Sequence, residues 1–160
     1  MTDPKRKGGI QSVLFACKYN AIRSPMAEAL AKHFFGQKIY IQSAGVKAGR
    51  DIDPMAVAAL QEIGVDCSRH KTRTIFELRD TEGLNFDLIV TLSPEAHHLI
   101  LEMTSSLSAN VEYWPTFDPT AVQGSYEKEL DAYRQVRETL TQNIKQRLSS
   151  QPLWSDDMEV

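Results

Sequence analysis

The chain has 160 residues, enough for one domain with a sizeable core. Its 42% apolar and 24% charged residues are ordinary for a globular protein, and a net charge of −3 excludes a global basic field for nucleic acid. No apolar run approaches the roughly 20 residues of a membrane span. Two cysteines, Cys17 and Cys67, make no disulfide framework, so a reducing cytoplasm is the expected compartment.

Residues 1–10, basic and glycine-terminated, and residues 151–160, acidic and aperiodic, read as tails around a single domain over 11–150. In chain order, a strand-like run at Ser12–Ala16 precedes a helix-length segment near Pro25–Phe35. A second strand at Lys38–Gln42 leads to a helix near Pro54–Ile63. A third strand at Phe86–Leu92 is followed by a helix near Pro94–Thr104. A fourth strand at Asn110–Trp114 leads to a long helix at about Tyr126–Leu148. In that last segment Leu130, Tyr133, Val136, Leu140, Ile144 and Leu148 recur at three- and four-residue steps, the amphipathic signature. Ser24-Pro25, Asp53-Pro54 and Ser93-Pro94 each place a capping side chain before a proline at a first helical position. The alternation predicts an α/β fold, a parallel sheet with helices on both faces. Ligands then bind beyond the carboxyl ends of the strands.

The first such turn runs Cys17-Lys18-Tyr19-Asn20-Ala21-Ile22-Arg23-Ser24-Pro25. Five residues between Cys17 and Arg23 can curl so that successive N–H groups point inward and make a concave anion site. The following helix adds its unpaired N–H groups and positive dipole end, and Arg23 can fork onto two oxygens of a tetrahedral oxyanion. The same field stabilises a thiolate on Cys17, placed for in-line attack at phosphorus. The bare spacing is weak, arising by chance in about one chain in ten. Cys67 and Arg73 have the same spacing, but Cys67 follows Gly64-Val65-Asp66 with no strand leading in, and it reads as a small buried hydrophobe.

The block from Val13 to Cys17, with Asn20 and Arg23-Ser24-Pro25-Met26-Ala27-Glu28, resembles the active-site segment of the low-molecular-weight protein tyrosine phosphatase family, which includes thiol-dependent arsenate reductases. Ser43-Ala44-Gly45, Gly64-Val65-Asp66 with His70, Phe86 to Thr91 and Asp118-Pro119 continue the resemblance in order over roughly 11–148. It implies a three-layer fold with a four-stranded parallel sheet in the order 2-1-3-4. It implies Cys17 as nucleophile, Arg23 as transition-state clamp and Ser24 as a hydroxyl donor to the thiolate. Asp118 becomes the general acid and then the base, and Asn20, Ser43 and His70 a network that holds the loop's shape. Lys18, Tyr19, Asn20, Ala21, Ile22 and Ser24 would line the bound phosphoryl group. The substrate would be a phosphorylated protein or a small phosphomonoester, with no cofactor, metal, nucleic acid or membrane partner, acted on by a monomer or weak dimer.

Some positions depart from the family. Tyr19 stands where it commonly has glycine, and Ile22 where phosphatases often have a second loop cysteine. Thr120 follows Asp118-Pro119 where phosphotyrosine enzymes place an aromatic wall; Tyr19 could supply one, with Lys18 and Arg50 adding positive charge at the mouth. No cysteine follows the third strand to relay a disulfide, so arsenate reduction would need an external small thiol. A non-catalytic phosphate-binding module is the remaining alternative. His97 and His98 have no cysteine or carboxylate at metal-ligand spacing and read as core and surface residues.

Overall fold

Along the first strand, β1 (Ser12–Cys17), Val13, Phe15 and Cys17 alternate with Leu14 and Ala16, and the two sets are buried in different cores. Only a strand covered on both faces can do this, which is why the run reads as continuously apolar. This computed structural model describes residues 9–104 and 110–149. The expected tails lie outside those residues except for Gly9 and Ile10, and Ile10 is buried in the core rather than trailing in solvent.

The chain continues through α1 (Arg23–Phe35), β2 (Tyr40–Gly45), α2 (Pro54–Gln61), α3 (Ile75–Thr81), β3 (Leu88–Thr91), α4 (Pro94–Met103), β4 (Asn110–Tyr113) and α5 (Tyr126–Ser149). The sheet is wholly parallel, in the order β2-β1-β3-β4. Helices α1, α2 and α5 cover one face, packing Met26, Leu30, Leu60, Val136 and Leu140 against Val13, Phe15 and Val90. The other face receives Ile75 and Leu78 of α3 and Ile100 of α4 against Leu14, Ala16 and Ile89. All six apolar positions read as the α5 stripe are buried, each contributing about 1.5–3 kcal/mol for a full-sized side chain. At the end of α2, Glu62 holds α5 through Arg134 and Arg137, each with a contact of 2.7 Å. The paired guanidinium hydrogen bonds, Arg134 first, pull the Glu62 carboxyl down to about 2.

The sequence expectations differ at several places. The second strand starts at Tyr40 rather than Lys38, because the N–H groups of Lys38 and Ile39 close back on Phe35 O at the end of α1; it then runs on through Ser43-Ala44-Gly45. The third strand is confined to Leu88–Thr91. Helix α3 was not expected; a capping box starts it, with Thr74 Oγ1 accepting from Glu77 N and Glu77 Oε1 accepting from Thr74 N. Asp53 and Ser93 cap α2 and α4 as expected. Ser24 does not cap α1: the helix begins at Arg23, Ile22 holds the cap position without a side-chain bond, and the Ser24 hydroxyl turns to Cys17. His97 bonds Thr91 Oγ1 at 2.9 Å, whereas His98 is exposed beside Glu102. Among the described residues no helix is long and apolar enough to cross a membrane.

Candidate active site

At the carboxyl end of the central strand the chain turns into α1 through residues 17–23. Cys17 ends β1, paired with Gly45 and almost fully buried. Three carbonyl groups of the loop are tied down: Val46 N donates to Cys17 O at 3.0 Å, Lys47 N to Lys18 O at 2.8 Å and Asp53 N to Ala21 O at 3.0 Å. The N–H groups of Tyr19, Ala21 and Ile22 have no acceptor among the described residues, the condition for an anion-binding nest. Asn20 takes the left-handed turn at φ 59°, which asparagine tolerates, and Tyr19 has no positive φ, so its replacement of glycine brings no backbone strain.

Asn20 organises the hydrogen bonds beneath the loop. Its Nδ2 donates to Ser24 Oγ and to Ser43 Oγ, both at 2.9 Å. An ionised carboxylate can only accept, so Ser43 donates its own hydrogen to Glu28 Oε1 at 2.5 Å. Ser24 Oγ, accepting from Asn20, lies 2.8 Å from Cys17 Sγ, which fits donation of its hydrogen to the sulfur. Asn20 N adds a second donor to Sγ at 3.3 Å. On the other side Asn20 Oδ1 accepts from Arg73 N at 3.0 Å and lies 2.9 Å from His70 Nε2, so the proton of the neutral ring belongs on Nε2. Burial holds the His70 ring below its usual pKa; Glu28, with Nδ1 3.8 Å from its Oε1, pulls the other way and is outweighed.

Arg23 reaches across the mouth, with Nη1 donating to Thr116 O at 2.9 Å. That contact ties the first turn of α1 to the segment bearing Asp118. Asp118 Oδ1 accepts from Thr120 N at 3.0 Å and from Thr120 Oγ1 at 2.7 Å, capping a single 3-10 turn over Pro119–Ala121. Burial raises the Asp118 carboxyl; the two Thr120 hydrogen bonds, with Arg23 and Lys18, outweigh it and hold the group below its usual value. Cys17, Tyr19, Ala21, Ile22, Arg23, Ile52, Asp118 and Thr120 line one cleft of about 540 Å³. At its rim the Arg50 guanidinium lies 3.9 Å from the centre of the Tyr19 ring and Lys18 Nζ 5.2 Å from it.

The structure therefore gathers Cys17, Tyr19, Ala21, Ile22, Arg23 and Asp118 about one cleft, with Lys18 at its rim. The side chains of Asn20 and Ser24, expected to line the phosphoryl group, are fully buried and lie behind the loop with Ser43 and His70, because they bond one another and the sulfur. The second cysteine–arginine spacing gathers nothing similar. Cys67 lies in the core, where burial first and Asp66 next push its thiol up to about 11, and Arg73 is directed to Ser43 O and Glu82. Sequence reading gave no role to Arg73 or Thr116. Both serve the site through main-chain atoms, Arg73 N and Thr116 O, and such atoms carry no residue signature. Chemically, the cleft offers a sulfur with two hydrogen-bond donors, loop amides without an acceptor among the described residues, a fork-shaped cation and a carboxyl group.

The family model for low molecular weight phosphotyrosine protein phosphatase matches residues 12–154. The chain belongs to the low molecular weight phosphotyrosine protein phosphatase family. Among curated relatives of this family member, an arsenate reductase of Halalkalibacterium halodurans is 35% identical over 83% of this chain and 91% of that one. A solved Erwinia amylovora tyrosine phosphatase, AmsI, is 27% identical with a TM-score of 0.67, covering 86% of this chain and 90% of that one. YwlE arginine phosphatase of Bacillus subtilis, solved as a cysteine-to-serine mutant with a phosphorylated active-site serine, is 26% identical with a TM-score of 0.68, covering 85% and 92%. The family thus spans phosphatases and arsenate reductases that share one fold.

Proposed function

We propose that this protein is a phosphatase that hydrolyses phosphomonoesters, protein phosphotyrosine first among them, through a cysteinyl-phosphate intermediate. The observation that carries the reading is the convergence of Cys17, Arg23 and Asp118 on one cleft, with Ser24 Oγ and Asn20 N both on the sulfur. In the proposed reaction the loop amides and Arg23 hold the three peripheral oxygens. Sγ attacks phosphorus opposite the leaving oxygen, the P–O bond breaks, and that oxygen takes a proton from Asp118. Asp118 then removes a proton from water, which attacks phosphorus, breaks the S–P bond and releases phosphate. Ser24 and Asn20 N stabilise the sulfur as a leaving group in this second step. Tyr19, Ile22 and Ile52 give an apolar wall that suits an aryl ester. Free cysteines suit a reducing compartment such as the cytoplasm.

The test is hydrolysis of p-nitrophenyl phosphate and of phosphotyrosine peptides without added metal, with inhibition by vanadate. A phosphoarginine peptide belongs in the same panel, given the arginine phosphatase among the structural relatives.

The name shared by the curated relatives favours a second reading, arsenate reduction. The chain's other cysteine is buried with its thiol pushed up to about 11, a poor relay, so this reading needs an external thiol. Arsenite formation from arsenate with glutathione or mycothiol would support it. Phosphate binding without turnover of any substrate would instead indicate a binding module.

A further inference from the structure

We infer that Thr120 is a positioning residue for Asp118, its hydroxyl and backbone N–H together occupying Oδ1 so that Oδ2 alone carries the proton to the leaving oxygen. The inference rests on the phosphatase reading and adds a determinant to it at the position where phosphotyrosine enzymes of the family place an aromatic wall. Two donors converge on the same oxygen, Oγ1 at 2.7 Å and N at 3.0 Å. A carboxyl group has two oxygens of equal proton affinity in water; two donors on one of them make the other the proton-bearing atom. Oδ2 has no hydrogen-bond partner among the described residues, and Asp118 lines the same cleft as Cys17 and Arg23. Transfer from Oδ2 accompanies cleavage of the P–O bond, the bonding pair staying on the leaving oxygen as the S–P bond forms.

The charged and titratable groups facing Asp118 come from every side. Arg23 belongs to α1 and Lys18 to the loop; Arg50, Asp51 and Asp53 lie across the cleft, and Tyr133 belongs to α5. The Thr120 hydroxyl is the one contact among these that discriminates between the two carboxyl oxygens at hydrogen-bond distance while leaving the turn intact if removed. The turn itself is held by Ala121 N to Asp118 O at 3.1 Å and Val122 N to Pro119 O at 3.2 Å, so losing the hydroxyl does not dismantle it.

The experiment compares the full chain with Thr120→Val, which keeps the shape, and Thr120→Ser, which keeps the hydroxyl. Carbon NMR titration of the Asp118 carboxyl, assigned with Asp118→Asn, is read alongside kcat/KM for aryl phosphates of graded leaving-group pKa. A donor to the charged form lowers a carboxyl pKa, so Thr120→Val moves the midpoint up by about half to one pH unit. The same variant loses about tenfold on poor leaving groups and less than about threefold on activated ones, and Thr120→Ser restores both readouts. Hydrolysis with an unmoved midpoint, or equal loss across all leaving groups, overturns the inference and leaves the phosphatase reading standing. A moved midpoint in a wild-type protein that hydrolyses no phosphomonoester overturns the phosphatase reading instead.

Discussion

A side chain on Gly45 would begin 2.7 Å from the backbone nitrogen of Asn20. A Cβ there would also sit 2.8 Å from Tyr19 C and 2.9 Å from Lys47 O. Backbone atoms cannot swing aside as a side chain can, so the loop after β1 and the end of β2 approach closely only because residue 45 is glycine. Gly45→Ala is therefore expected to push the loop outward, costing about 1–3 kcal/mol of stability. A displacement on the order of 1 Å is expected to lower kcat/KM about 100-fold, measured on p-nitrophenyl phosphate alongside thermal unfolding.

The Ser24 hydroxyl is the proposed donor to the Cys17 sulfur, and a hydrogen bond to a charged partner is worth about 1.5–3 kcal/mol. Ser24→Ala should slow turnover by roughly 10- to 100-fold, chiefly in breakdown of the phosphoenzyme, where sulfur must depart. A larger initial burst followed by a slower steady state, seen by stopped flow, is the expected signature. Ser43→Ala acts only through Asn20 and should cost less.

The two cysteines are expected to behave oppositely. Cys17→Ser should abolish hydrolysis while keeping phosphate binding. Cys67→Ser should keep the activity but, by burying a hydroxyl in the core, lose about 1–3 kcal/mol of stability. Phosphate should protect Cys17 from iodoacetate, and Cys67 should react only on unfolding. Arsenite production by the Cys67→Ser protein with an external thiol would favour the reductase reading, since no relay cysteine would then be involved.

Glu62 gives a stability prediction with a definite sign. Its folded-state carboxyl lies at about 2, below the usual carboxylate value, because Arg134 and Arg137 hydrogen-bond to the charged form. A depressed carboxyl contributes stability above the unfolded-state pKa of about 4.3 and loses it as pH falls through the folded value. Wild type should therefore melt higher than Glu62→Gln at neutral pH. The gap should close between about pH 4.3 and pH 2, and shrink in high salt because Glu62 is exposed. A gap that persists at pH 2 would show the carboxylate is not its source.

The sheet was legible because β1 and β3 are covered on both faces and so read as unbroken apolar runs. Helix starts at Asp53-Pro54 and Ser93-Pro94 were legible because capping and proline geometry are local. Cys17, Arg23 and Asn20 were legible for the same reason, lying within one turn between a strand and a helix. What was not legible is long-range or made by main-chain atoms. Ser24 looked like a cap, but its hydroxyl is drawn to the sulfur, a partner only the folded loop supplies. Thr120 looked like a missing aromatic wall, and its hydrogen bond to Asp118 appears only once the turn is formed. The short helix α3 escaped notice because it has two buried anchors, Ile75 and Leu78, too few to set up a periodic signal.

Rapid-quench mass spectrometry during turnover of p-nitrophenyl phosphate looks for the covalent bond between phosphorus and the Cys17 sulfur. A phosphoryl adduct is expected on the peptide containing Cys17, accumulating further in Ser24→Ala and Asp118→Ala. Turnover without any adduct at Cys17, or with one at Cys67, would contradict it.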